Sequence, residues 1–242
     1  MPRRSDVAIE REGARPPAQG LDKDARRGRY ISDTILARRR RILEAAKQAI
    51  AEGGAQALTI RELGRRAQVS VTTIYATYGD KMGLIAAAIA DYYQSLPLAR
   101  APPTTSLSAL LASKDEVRKA ILANPAYARQ YAELYFSAAV DPRIYKVIQD
   151  TSTASGGHMP WLQKTLRDGD VAPGLSLAYL TTLFANHRLL VLHDWAQGRI
   201  SADELGIALK TAFLILARGV TRGPTQARVE VELKRLARTA SV

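Results

Sequence analysis

The sequence predicts an all-α protein, and three observations carry that prediction. Apolar residues recur at three- and four-residue intervals in segment after segment; Ser, Thr or Asp stands where such runs begin and Gly or Pro where several stop; no alternating strand pattern or Asn-Gly hairpin interrupts them. With 242 residues, 47% of them apolar and 24% charged, the chain can bury a substantial core.

Residues 1–29 mix Arg, Pro and Gly with scattered acids and few apolar side chains, which predicts a flexible basic arm. From an N-cap at Ser32 or Asp33, Ile35, Ile42, Leu43, Ala46 and Ile50 mark one helical face through Ala51, and Gly53-Gly54 end it. Thr59 caps a second helix with Glu62 completing a capping box, and Ile60, Leu63 and Ala67 share a face that ends near Gln68. Ser70 caps a third, very short helix that stops at Gly79, and Asp80 caps a long one running to Leu96-Pro97. Further helices are expected over residues 106–123, 125–139, from Asp141-Pro142 to the Gly156-Gly157 pair, 159–166, 176–197 and, behind a Ser201/Glu204 capping box, 202–218. The closing ARVEVELKRLARTASV reads as a frayed amphipathic, basic tail over residues 221–242.

Charge is distributed unevenly along these elements. Residues 1–81 hold 17 Lys and Arg against 10 Asp and Glu, whereas residues 82–221 hold 13 against 11. A basic N-terminal third on a nearly neutral body points to a polyanionic partner, nucleic acid ahead of membrane because the basic part lacks a strong apolar face. No apolar stretch approaches the roughly 18 residues of a membrane span, no secretory apolar core opens the chain, and cysteine is absent, so a cytoplasmic protein without disulfides or thiolate ligands is expected.

The stretch TIRELGRRAQVSVTTIYATY has the layout of a helix-turn-helix. Gly64 supplies the small residue that close helix contact demands, and Val69 and Ile74 pack the inside of the turn and of the second helix. Val71, Thr72, Thr73 and Tyr75 are left facing outward, slim enough for a major groove, where hydroxyls bond phosphates or base edges and methyl groups touch thymine methyls. Ser70 and the helix N-terminus offer N–H groups and a positive dipole end to phosphate. Lys81 adds charge at the start of the following helix.

Residues 38–95 resemble the N-terminal domain of the tetracycline-repressor (TetR) family of bacterial transcription regulators: ILEAAKQAIAEGG resembles its helix 1, LTIRELGRRA its helix 2, VSVTTIYATY its turn and recognition helix, and GDKMGL its entry to helix 4. By position, the resemblance implies that Arg61, Val71, Thr72, Thr73 and Tyr75 contact operator DNA and that Lys81 holds the backbone. Gln68 stands where the family places its turn glycine, so a left-handed backbone carrying a side chain is expected there. The resemblance further implies a helix-turn-helix domain over residues 30–95 and a ligand-binding and dimerisation domain over residues 104–220, whose last two long helices, within residues 176–218, pair with those of a second copy.

Within that larger domain, Tyr127, Tyr131, Tyr135 and Phe136 form a helical stripe on which Trp161, Phe184 and His187 could converge. A pocket built from them suits a mostly apolar or aromatic effector with one or two polar groups. LSLAYLTTLFANHRLLVLHDWA is nearly apolar all round at its centre, with His187 and Arg188 as exceptions. His158, His187 and His193 are the only histidines, no HExxH, P-loop or GxGxxG occurs, and no thiol exists, so no enzyme, metal site or cofactor is expected. The reading is a homodimeric repressor released from double-stranded operator DNA by a small molecule; a DNA-binding adaptor whose helical domain holds a protein partner is the alternative.

Overall fold

The computed structural model of the chain describes residues 19–96, 102–137 and 141–240. Among them no strand occurs, only an isolated bridge between Val171 and Thr221, and the all-α expectation holds. The helices are α1 (Gln19–Ala57), α2 (Ile60–Ala67), α3 (Val71–Tyr78), α4 (Lys81–Ser95), α5 (Leu107–Ala123), α6 (Pro125–Phe136), α7 (Pro142–Gly156), α8 (Met159–Arg167), α9 (Leu177–Ala196), α10 (Leu205–Val220) and α11 (Gly223–Ala240).

Two compact units divide the chain, residues 1–39 and 40–242. Of the arm expected at the N-terminus, residues 1–18 lie outside the described residues, and residues 19–29 belong to α1. Leu21, Lys23, Ala25, Arg26 and Arg27 are good helix formers, and their propensity outweighs the polar composition that suggested an unordered arm. Ile35, counted in the apolar face, is exposed.

In the second unit Ile42, Leu43, Ala46 and Ile50 of α1 are buried as their spacing predicts. The helical path breaks at Gly54, with φ 76° and ψ 169°, at the expected glycine pair; a Cβ there would stand 2.4 Å from the Gln130 Oε1. Thr59 Oγ1 accepts the Glu62 N–H at 3.3 Å and opens α2, while Ser70 Oγ accepts the Thr73 N–H at 3.1 Å and opens α3. Between them Gln68 adopts φ 56° and ψ 49°, the left-handed conformation expected of the turn. Gly64 faces that turn so closely that a Cβ would lie 2.9 Å from the Val69 carbonyl oxygen.

A single apolar core runs from this helix-turn-helix into the rest of the unit. Ile60, Leu63 and Ile74 join Leu84, Ile85 and Ile89 of α4, which in turn pack with Ile144 and Ile148 of α7 and Leu189 and Leu192 of α9. A second cluster gathers Leu110, Trp161, Leu162, Phe184, Phe213 and Val229.

Two local expectations change. The Ser201/Glu204 box forms with both reciprocal bonds, at 2.8 and 3.2 Å, yet residues 202–204 are a turn and α10 starts at Leu205. The frayed tail is instead α11, because Val229 is fully buried, Leu233 and Leu236 pack behind it, and Asp170 secures the helix start. Asp170 O accepts the Arg222 N–H at 2.8 Å, and its Oδ2 accepts the Thr225 N–H at 3.1 Å.

Candidate functional site

The outer side of α3 is held in place from below. Ile74 is 1% exposed and anchors the helix, and half-buried Tyr78 packs against the same core, leaving Val71 39% and Tyr75 47% exposed. Ser70 and Thr72 are exposed beside them, while Thr73 is half-buried and its Oγ1 lies 2.8 Å from Ser70 Oγ. The Thr73 hydroxyl therefore braces the Ser70 cap. A large apolar and an aromatic side chain are thus held outward on an eight-residue helix whose inner side is anchored by Ile74.

The cations around this face differ in availability. Arg65 and Arg66 both bond to Glu62, whose carboxyl the Arg65 and Arg66 hydrogen bonds hold down to about 2, and Arg66 also reaches Glu52 at 2.7 Å. Arg61 is exposed and makes no ion pair among the described residues, which leaves it open to phosphate. Lys81 is more constrained than its sequence position suggests: its Nζ donates to the Gln56 carbonyl at 3.0 Å, tying the start of α4 to the end of α1.

The residues proposed from sequence as an effector pocket do not all meet. Tyr131 is buried in the first core, with its hydroxyl among Ile148 O, Thr151 Oγ1 and Ser152 Oγ at 3.3–3.4 Å. Tyr135 stacks on Tyr145 and donates to Asn186 Oδ1 at 2.9 Å, and Phe136 is exposed with its ring 4.4 Å from that of His193. Trp161 and Phe184 belong to the second core, around Phe213. Among the described residues, only Phe184 and His187 of this set line a common cavity, of about 20 Å³, with Lys114, His158 and Arg188. A neighbouring slot of about 20 Å³, lined by Tyr92, Tyr93, Ile121 and Leu192, shares Arg188 and Leu209 with it.

Sequence reasoning missed Lys114, His158, Tyr92 and Tyr93. The signal for Lys114 was present: it occupies the buried register of α5 between Leu110 and Val117, where a charge is out of place. No group of three or more His, Asp or Glu suited to a metal occurs among the described residues.

Fold and face together define a helix-turn-helix DNA-binding regulator with an all-helical body. Residues 42–88 match the sequence model described as "Bacterial regulatory proteins, tetR family". Solved structures agree on the fold. A tetR-family regulator from Shewanella sp. PV-4 superposes with a TM-score of 0.54 at 15% identity, covering 77% of this chain and 99% of that one. A regulator from Rhodococcus sp. RHA1 gives 0.52 at 20% identity, covering 76% and 97%. FadR from Bacillus subtilis, in complex with stearoyl-CoA, gives 0.56 at 14% identity, covering 74% and 97%. No curated protein sequence matches the chain.

Proposed function

We propose that the protein is a homodimeric, ligand-responsive repressor that leaves its operator when a small, mostly apolar molecule enters the helical body. The observation that carries this reading is the pairing of an outward face on α3 with a continuous apolar core that links α3, α4 and α7 to the walls of an internal slot. A change in packing at the slot is transmitted by the same side chains that hold α4, and hence α3, in position. FadR of Bacillus subtilis, which shares the fold, holds stearoyl-CoA; this supports the use of such a body as a small-molecule receptor.

Dimerisation through residues 176–218 is supported by the unpartnered apolar side chains on the last two helices of that region. Tyr179 and Leu190 of α9 and Ile207 and Ile215 of α10 are exposed, although the helices bury Leu180, Leu189, Leu209 and Phe213 on their other sides. Two recognition helices about 34–36 Å apart then reach successive major grooves on one side of the duplex. Selection of bound fragments from genomic DNA, followed by light scattering of the complex, tests the reading: a two-fold symmetric site holding two chains supports it, and one chain per site contradicts it.

A further inference from the structure

The start of α5, α8 and α11 bound an open-sided cavity of about 470 Å³, the size of a small-molecule site and far roomier than the two spaces of about 20 Å³ beside Arg188. Much of its lining is apolar. Trp161 of α8 is 3% exposed, Leu107 of α5 packs against the same core, and Val231 of α11 stands in the wall 64% exposed.

Of the charged side chains that line this cavity, three have ionic partners. Asp168 pairs with Lys164 within α8, and Glu232 pairs with Arg235 within α11 at 2.8 Å. Arg228 of α11 is in no ion pair among the described residues. Its Nη2 donates instead to Thr225 Oγ1 at 3.0 Å, and Thr225, 3% exposed, is fixed in turn by its N–H bond to Asp170 Oδ2 at 3.1 Å. The guanidinium is thereby braced in the cavity wall with N–H groups to spare. Its planar edge matches a carboxylate. One cation without an acid suits a single negative charge, whereas the second charge of a phosphate ester would face Asp168 and Glu232 with nothing to meet it.

We infer that this cavity is a second binding site, for a small aromatic carboxylate whose rings lie against Trp161, Leu107 and Val231 and whose head group takes the open edge of Arg228. The site is separate from the slot at Tyr92 and Tyr93, so the proposed repressor function stands or falls independently of it.

The test is calorimetric titration of the full chain with 1-naphthaleneacetate and with its neutral isostere 1-naphthaleneacetamide. The carboxylate is expected to bind at least about tenfold more tightly, and Arg228→Gln, a change at an exposed position, to bring it to the level of the amide. Val231→Glu, which gives Arg228 an acid one helical turn away, should remove the same preference while the amide loses much less. With the carboxylate bound, hydrogen exchange should slow in α8 and the first turns of α11. Equal affinity for the two probes, a preference that survives either substitution, or no binding of either at millimolar concentration overturns the inference. Protection confined to α4 and α9 around Tyr92 and Leu192 overturns it as well, because the carboxylate would then occupy the slot.

Discussion

Arg143 Nη2 lies 3.0 Å from Asp80 Oδ2, while the other oxygen of the same carboxylate caps α4 by accepting the Gly83 N–H at 2.7 Å. One residue of the helical body thus touches the residue that starts α4, directly after the recognition helix. The pair is about half exposed, so it contributes little to stability by itself. Its place matters more, because Gly83 allows no slack: a Cβ there would stand 2.2 Å from the Tyr78 carbonyl oxygen at the end of α3.

Arg143→Gln should therefore leave the melting temperature nearly unchanged and alter how strongly ligand weakens operator binding. The check is the ratio of operator affinities with and without a bound ligand, in wild type and variant. An unchanged ratio would remove Arg143 from the coupling. Asp80→Asn, which weakens the cap as well as the pair, should lower the melting temperature more. The Asp80 carboxyl is held below its ordinary value first by the Gly83 N–H and then by Arg143. Its folded pKa is depressed, so the stability it adds is present above the unfolded value of 3.8 and fades as pH falls through the lower folded value. The gap between Asp80→Asn and wild type should close below that range.

The turn of the helix-turn-helix gives a steric prediction. Gly64→Ala places a methyl group 2.9 Å from a backbone oxygen and should destabilise the protein by about 1–3 kcal/mol in urea unfolding. Gln68→Gly relieves a left-handed side chain at φ 56° and should be neutral to stabilising by under about 1 kcal/mol.

Lys114→Met should raise stability most at pH 6. The folded lysine titrates near 7 and the unfolded one near 10.5, so the penalty of burying the charge is complete below 7 and disappears as pH rises past 10.5. Melting temperatures across pH 6–10.5 should converge for variant and wild type at the alkaline end.

Lys81→Ala tests a residue with two attachments. Loss of its charge should weaken binding to every DNA sequence alike and flatten the salt dependence. Loss of its bond to the Gln56 carbonyl should lower the melting temperature as well. A change in affinity confined to one sequence would assign Lys81 to base reading instead.

Much of the DNA-binding part was legible because it is encoded locally. Ser70, Thr59 and Asp80 cap helices within three residues of themselves, and Gly64 and Gln68 answer to a single turn. The same local logic failed at α11, whose order depends on Asp170, more than fifty residues away, and on a core that buries Val229. The candidate effector residues were legible as chemistry but not as a place. A tyrosine stripe at helical spacing marks a buried face without saying which neighbour it meets, so Tyr131 joined the core and Phe136 the surface. His187 and Arg188 were visible as polar breaks in an apolar helix; their convergence with Lys114, between α9 and α5, is a property of packing alone.

The central claim, that the outer face of α3 reads DNA, is tested most directly by equilibrium binding of wild type and Tyr75→Ala to a fragment selected from genomic DNA and to a random fragment of equal length. A loss of about 1–3 kcal/mol on the selected fragment, with little change on the random one and an unaltered melting temperature, is the predicted result. Equal losses on both fragments would contradict it and reduce Tyr75 to a contact with the DNA backbone.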